Sequence, residues 1–389
     1  MRFRRPSVAQ VFVGWCIAVI LLLTIVVVPA VAGFDVPRAT PQGIGATVEG
    51  RVTQVLERST TSSPRGEIEH ERLAVEVSGK TVTVTRDRSP DDIGALHVEA
   101  GDRVLLTTVQ GPDGDAYLIV DRVRSKALWI LGLAFVMMVV VAGRVIGATS
   151  ILGLAASLLV IMRFVIPGML SGHDPRMIAM VGASVIMLTT LYMAHGINLK
   201  TTVALVGTAI ALVFTVALSA FAISLAQLTG IASEDTATLQ VLAAQHVDAT
   251  GVLLGGIVIG ALGVLNDITV AQASAVFELR QANASFTVFE LYRRAMNVGR
   301  DHISATVNTL VLAYAGASLP LLMLLALQGE PLATELSREF IATEVVRSLV
   351  GSMGLIAAVP LTTVCAVLVA ARVRSDSLVE ADGSHSHHH

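Results

Sequence analysis

Uninterrupted apolar runs of about 20 residues recur along the chain, and they constrain its fold more than any other feature. A helix of that length crosses a bilayer core, which is about 30 Å thick. Hydrophobic residues make up 53% of the 389 residues and charged residues only 15%, whereas about a quarter of the residues in a soluble protein are charged. The sequence therefore predicts a polytopic α-helical membrane protein, with the lipid bilayer as its first partner.

We predict about eight transmembrane helices. They cover residues 11–32, 127–143, 146–168, 176–195, 201–226, 250–273, 303–327 and 341–370. The first run is too long for the apolar core of a signal peptide, so we interpret it as a retained anchor with its N-terminus in the cytoplasm. An even number of spans then places both termini on the cytoplasmic side.

The distribution of charge supports this orientation, because arginine and lysine favour cytoplasmic loops. The predicted cytoplasmic segments hold Arg2, Arg4, Arg5, Arg144, Lys200, Arg280, Arg293, Arg294, Arg300, Arg372 and Arg374. The predicted outer loops are mainly acidic, with Arg176 and Arg338 as minor exceptions. We predict a multi-pass membrane protein with both termini in the cytoplasm.

Residues 36–126 have a different character, because apolar and polar side chains alternate with period two between Gly, Pro and Asp turns. This pattern predicts a small antiparallel β domain after the first helix, outside the cytoplasm. Five short strands in this length fit an OB-like barrel. The domain lacks a basic face and stacking aromatics, so we interpret it as a structural module or a docking surface for an envelope protein at residues 40–124, and not as a nucleic-acid binder.

The predicted organisation thus has four parts. Residues 1–35 form the cytoplasmic N-terminus and first helix, 36–126 the outer β domain, 127–374 a seven-helix membrane domain and 375–389 a cytoplasmic tail. The tail ends in SHSHHH, which is typical of a purification tag, although a native metal-scavenging tail is an alternative.

The stretch GALGVLNDITVAQ, residues 260–272, carries an aspartate inside a predicted span. Burying a carboxylate at that depth costs roughly 3 kcal/mol, and such residues are functional candidates. Gly256, Gly260 and Gly263 share a helical face with Asp267. Small residues at this spacing predict a close helix-packing seam, so we expect the carboxylate to face protein. Further polar groups come from Asn266, Thr269 and Gln272.

A second polar position, Asn308, lies in the next predicted span, above Asp301 and Ser304 on the same helical face. At about 1.5 Å per residue, it reaches a depth comparable to that of Asp267. We predict that Asp267, Asn266 and Asn308 line one polar cavity that binds a ligand or an ion. The alternative is an interhelical hydrogen bond with no ligand.

In the last predicted span, Glu344 and Arg347 are three residues apart, close enough to pair on one helix face. Arg347 is a candidate anion ligand or gate residue, and the alternative is that it extends to the membrane interface.

Catalytic motifs are absent from the sequence. It contains no HExxH, no GxSxG and no Walker A segment, so we predict that the protein is not an enzyme. The two cysteines, Cys16 and Cys365, are isolated and form no zinc-binding pattern. We expect no metal and no cofactor. A net charge of −3 argues against nucleic acid as a partner.

Residues 260–280 (GALGVLNDITVAQASAVFELR), the following ELYRRAMNVGRDHISATVNTLVLAYAGASLPLL and the later RSLVGSMGLIAAVPLTT resemble the YibE/F family of bacterial membrane proteins, in its actinobacterial form. The resemblance implies a multi-pass plasma-membrane protein. It places the family's polar signature on Asp267, Asp301, His302 and Asn308. Many members carry a second aspartate where this chain has Asn266. That difference disfavours a two-carboxylate site for a divalent cation and leaves a site for a proton or monovalent cation.

Two functions remain open at this point. The first is a transporter or channel for an unidentified small solute or ion, with Asp267 as the coupling carboxylate. The second is a non-transporting scaffold or accessory subunit that docks a partner through its outer β domain. A homo-oligomer is compatible with either function.

Overall fold

The computed structural model describes residues 44–63, 66–88, 96–111, 114–243 and 247–372. The predicted first span, 11–32, and the predicted tail, 375–389, lie outside these residues. The described chain forms two compact units, of which one ends at Met138 and the other begins at Val139. The first unit contains all the described strands.

The N-terminal unit is built on a five-stranded antiparallel sheet. Its strands are β1 (Ile44–Ser63), β2 (Gly66–Val77), β3 (Lys80–Arg88), β4 (Arg103–Gly111) and β5 (Gly114–Arg122). Their order in the sheet is β3-β2-β1-β4-β5. The predicted small antiparallel β domain is therefore present.

The long central strand β1 organises this sheet, because its first part pairs with β4 and the rest with β2. Register shifts occur on β1 between Val52 and Gln54 and between Val55 and Glu57. Such irregularities bend and twist a strand, so β1 can serve both neighbours. The alternating apolar residues of the strands form one core that includes Val52, Leu73, Val75, Val84, Val104 and Leu106.

A buried carboxylate links three strands of this sheet. The side chain of Glu71 on β2 is fully buried. It accepts hydrogen bonds from Arg58 Nε on β1 at 2.8 Å and from Arg86 Nη2 on β3 at 2.6 Å. Burial by itself would raise the pKa of Glu71, but the two arginines outweigh it and leave that pKa lowered. Glu71 thus ties three strands together as an ionised group.

The helices follow the sheet in chain order. They are α1 (Ser125–Val160), a π-helical turn (Ile161–Val165), α2 (Ile166–Leu170), α3 (Pro175–His195), α4 (Leu199–Leu225), α5 (Glu234–Leu242), α6 (Ala249–Ala282), α7 (Val288–Ala317), α8 (Leu319–Gln328), α9 (Leu332–Leu336) and α10 (Glu339–Arg372). Within the described residues, five helical segments are long and apolar enough to cross a membrane, or six if the bent pair α7 and α8 forms one span.

One of these five segments, Ser125–Leu170, covers two predicted spans, 127–143 and 146–168. The helical backbone breaks between them at Arg144, where φ is 51° and ψ is −126°. A Cβ atom on Gly147 would collide with the carbonyl oxygen of Val139. These two residues would be about 12 Å apart along a straight helix, so the chain bends sharply at Arg144.

The predicted span 303–327 also differs from the structure. Helix α7 already begins at Val288, where Thr287 and Glu290 form a capping box. It ends at Ala317, and α8 continues at an angle of 65°. Pro320 accounts for the break, because proline lacks an N–H donor and its ring clashes with the preceding turn of a helix.

Helices α4, α6 and α10 pack against one another and form the centre of the helical unit. Helix α3 packs on α6, and α7 packs on α10 and α6. The largest apolar cluster lies among these helices and includes Leu212, Ile257, Leu262, Leu265 and Leu355.

Helices α4 and α10 approach each other closely, and small residues recur at every fourth position along both. A Cβ atom on Gly207 of α4 would collide with Thr362 of α10, and one on Gly354 of α10 would collide with Thr215 of α4. Ala211 and Ala358, which lie midway along the two rows, are fully buried. We call Gly207, Ala211, Thr215, Gly354, Ala358 and Thr362 the α4–α10 seam. Small residues of this kind let membrane helices approach closely.

A carboxylate fastens the same two helices beyond the seam. Glu339, at the start of α10, accepts hydrogen bonds from the backbone N–H groups of Thr229 at 2.6 Å and Gly230 at 3.0 Å. These two residues follow the end of α4, and Gly230 has a positive φ of 81°. The loop therefore wraps around the Glu339 carboxylate.

We expect Gly354→Val to lower the unfolding temperature, because the new side chain would overlap Thr215 in the seam. Overpacking of this kind costs about 1–3 kcal/mol. Gly263→Val is the matched control on α6, since its Cβ would meet no described atom within 4 Å. Thermal unfolding of the detergent-purified variants measures the difference. Equal unfolding temperatures for the two variants would contradict the close approach.

We expect Glu71→Gln to destabilise the sheet by about 1–3 kcal/mol, because it removes the buried negative charge to which both arginines donate. The lowered pKa also sets a pH dependence. The stabilisation from Glu71 is complete above its unfolded pKa of about 4.5 and is lost as the pH falls through the lower folded value. Circular dichroism of the β signal between pH 7 and pH 2 should therefore show an acid transition in the parent that is weaker in Glu71→Gln. An unchanged transition would show that Glu71 does not couple folding to pH.

Candidate functional site

Asp267 lies on α6 with an exposed side chain among the described residues. Its charge interacts with that of His195, which is the last residue of α3. The neighbouring Asn266 fixes the relation between the two helices, because its Nδ2 donates a hydrogen bond to Thr190 Oγ1 of α3 at 3.1 Å. His195 is five residues beyond Thr190, or about 7.5 Å along the helix. The end of α3 therefore brings an imidazole toward the Asp267 carboxylate.

The face of α6 that carries Asp267 also carries Gly256, Gly260 and Gly263, all exposed. A Cβ atom on Gly256 or Gly263 would meet no described atom within 4 Å, and one on Gly260 would lie 3.7 Å from the Tyr314 hydroxyl of α7. The described helices thus form no close seam along these three glycines, which differs from the prediction. We call Gly256, Gly260, Gly263 and Asp267 the open face of α6.

The glycines by which α6 packs closely are Gly251 and Gly255. A Cβ atom on Gly251 would lie 3.2 Å from Pro175, and one on Gly255 would lie 3.0 Å from Ala179. Both neighbours belong to α3. Spacing alone could not separate the two sets of glycines, because both recur at helical intervals on the same helix.

Thr269 and Gln272 lie on the opposite side of α6 from Asp267 and are buried. The Thr269 hydroxyl lies 2.6 Å from that of Thr208 on α4. Gln272 Nε2 donates to the carbonyl oxygen of Ala295 on α7 at 3.0 Å and to Thr363 Oγ1 on α10 at 2.7 Å. These side chains join helices, and the structure does not bring them to Asp267. An α-helix turns by about 100° per residue. Thr269 and Gln272 therefore lie on a different face from Asp267.

Asn308 is exposed on α7. The side of α7 that packs on the core carries Ile303 and Val307. Asp301, Ser304 and Asn308 lie on the other side and are exposed, as is His302. No described hydrogen bond joins Asp267 and Asn308, and a polar cavity shared by these two residues stays a prediction.

Glu344 and Arg347 pair on α10, with Arg347 Nη1 donating to Glu344 Oε1 at 2.8 Å. The two side chains are 30% and 33% exposed. Both charges also act on Tyr314 of α7, whose hydroxyl approaches Gly260. Helices α7 and α10 thus bring polar groups together beside the open face of α6.

Two of these residues, His195 and Tyr314, were not among the predicted site residues. His195 ends a helix directly before a glycine, and Tyr314 is a single hydroxyl-bearing aromatic residue in an apolar run. Both signals are visible in the sequence, but only helix packing assigns them to Asp267 and to the Arg347 pair. Among the described residues, no group of three or more His, Cys, Asp or Glu side chains could hold a metal ion.

A family model described as YibE/F-like protein matches residues 131–372. The chain belongs to the YibE/F-like family. The match begins within α1 and ends with α10, so the family segment contains the whole α3–α10 bundle, including the open face, His195 and the Arg347 pair. The described strands precede it. No curated protein and no solved structure matches the chain.

We expect Gln272→Met to destabilise the bundle by about 1–3 kcal/mol, because it removes two buried hydrogen bonds that join α6 to α7 and α10. Gln281→Met makes the same substitution at an exposed position of the same helix and should have little effect on stability. Thermal unfolding in detergent compares the two variants. If Gln272→Met is as stable as Gln281→Met, Gln272 does not hold α6, α7 and α10 together.

Proposed function

We propose that this YibE/F-like protein is a membrane transporter or channel for a small solute or ion, and that Asp267 binds the ion or solute that moves. The observation that carries this proposal is the open face of α6. An ionisable side chain at membrane depth is costly in lipid, and here it lies at the end of a row of exposed glycines along which the described helices make no close contact. The glycines leave room beside the backbone for a path to the carboxylate.

The surroundings of Asp267 favour a proton or a monovalent cation. Asp267 is a single carboxylate, and the titratable imidazole of His195 interacts with its charge. The adjacent Asn266 Oδ1 has no hydrogen-bond donor among the described groups and supplies a neutral oxygen. One carboxylate with neutral oxygens provides less charge than divalent-cation sites commonly use. The Glu344–Arg347 pair and Tyr314 would then form a second polar constriction beside Gly260.

The same proposal includes a topology of about eight spans. The sharp bend at Arg144 supports two spans within Ser125–Leu170, whose 46 residues would extend about 69 Å as one straight helix, more than twice the bilayer core. With the predicted first span, both termini lie in the cytoplasm and the β unit lies outside. We propose an OB-like barrel for this unit, because its edge strands β3 and β5 approach each other and would close the sheet.

A thermal-shift screen tests the proposal directly. The detergent-purified protein is heated with Na⁺, K⁺, Li⁺, simple anions and buffers of different pH, beside Asp267→Asn. A ligand at a hundred times its dissociation constant stabilises the folded state by about 2.7 kcal/mol. We expect one cation or a change of pH to shift the unfolding temperature of the parent and to leave that of Asp267→Asn unchanged. Asp235→Asn, on the short helix α5 outside the predicted spans, is the matched control and should respond like the parent.

The second candidate function is a non-transporting scaffold that binds an envelope protein through the β unit. Leu118 and Val120 favour it, because they leave an apolar row on the edge strand β5, 46% and 56% exposed. This function predicts that no ion shifts the unfolding temperature of the parent. Asp267→Asn would then change the stability of the protein but not its response to ions. That result would overturn transport through Asp267.

A further inference from the structure

The first half of α7 carries a basic face that the helix bundle does not use. Arg293 and Arg300 are seven residues apart, which is about two helical turns. Both side chains are exposed. Arg300 Nη1 donates to Asn297 Oδ1 at 2.8 Å on the same face. Each guanidinium has five N–H donors, so most of its hydrogen-bonding capacity remains open.

The other side of this helical segment fixes its orientation. Leu291, Ala295 and Gly299 are buried, and Gln272 of α6 donates to the Ala295 carbonyl. Because Arg293 and Arg300 lie opposite these three residues on the helix, their side chains extend away from the bundle.

Apolar side chains accompany the arginines on the exposed side. Phe289 is 70% exposed and Val288 is 50% exposed, at the first turn of α7. A helix that exposes arginines together with large apolar residues is suited to the headgroup region of a bilayer, where both kinds of group are satisfied. The same helix continues beyond Arg300 into the apolar segment that begins near Ile303, so the arginines lie on the part of α7 that precedes the predicted span.

The remaining charges nearby are largely engaged within the chain. Arg294 lies over the Phe286 ring, 4.5 Å from its centroid, and Arg280 donates to the Phe286 carbonyl at 2.8 Å. The Glu290 carboxylate caps the helix by accepting from Thr287 N–H at 2.9 Å. Asp301, which is exposed next to Arg300, offsets one charge. The exposed face therefore keeps a positive charge.

We propose that Arg293 and Arg300, together with Phe289, bind the headgroups of anionic phospholipids. The guanidinium groups donate to the phosphate oxygens, which they match in geometry, and the exposed Phe289 ring packs against the lipid surface. Free phosphate offers the same oxygens, but it would not use the exposed aromatic ring. Lipid bound here would hold the entry of α7 against the membrane surface.

The protein is reconstituted in nanodiscs of phosphatidylcholine alone and of phosphatidylcholine with one quarter phosphatidylglycerol. We expect phosphatidylglycerol to raise the unfolding temperature of the parent, and 0.5 M NaCl to reduce this effect because salt screens the attraction. In a titration with phosphatidylglycerol, Arg293→Gln/Arg300→Gln should weaken the apparent affinity roughly 30-fold, at about 1 kcal/mol for each arginine near an anionic surface.

Arg51→Gln/Arg72→Gln is the matched control, since it removes the same charge from exposed positions of the β unit and should keep the parent's response. Arg293→Lys/Arg300→Lys preserves the charge and should keep most of the parent's response to phosphatidylglycerol. This variant therefore separates lost binding from misfolding. The proposal fails if the glutamine variant responds like the parent. It also fails if inorganic phosphate reproduces the stabilisation in discs of phosphatidylcholine alone.

Discussion

The close approach of α4 and α10 is the contact on which the rest of the helical unit depends. In lipid, no hydrophobic effect drives one apolar helix onto another, so association relies on van der Waals packing and hydrogen bonds. The α4–α10 seam supplies the packing, since glycine on each helix receives a threonine from the other. The Thr215 hydroxyl is satisfied within α4, by donating to the Ala211 carbonyl at 2.8 Å. Glu339 fastens the same pair beyond the seam.

The orientation of α6 follows from this contact, and the candidate site follows from the orientation of α6. Thr269 and Gln272 turn one side of α6 toward α4 and α10, where their polar groups find partners. Asp267 and its three glycines must then lie on the other side. Helix α3 packs on α6 through Gly251 and Gly255, away from the open face, and its last residue, His195, interacts with the charge of Asp267. The polar residues of α6 thus divide into a structural set and a candidate functional set.

The locations of most predicted spans, the β domain and the family follow from the sequence, because apolar run length and period-two alternation are local properties. The pairing of Glu344 with Arg347 was also predictable, since residues three apart on a helix are neighbours. The bend between α7 and α8 was visible in Pro320, but the early start of α7 was not. Its first turns are polar and charged, and they become helical because Leu291, Ala295 and Gly299 find a buried surface.

The sequence by itself determined that this chain has long membrane-compatible helices, a separate β unit and an ionisable residue at Asp267. Those features depend on composition and short-range spacing. Only the tertiary structure decided which small residues make a seam and which polar residues share a site, because a helix presents several faces of similar composition. The packing of neighbouring helices selects among them. It placed the close contact on Gly207 and Gly354 and left the glycines beside Asp267 exposed and without a close helix contact.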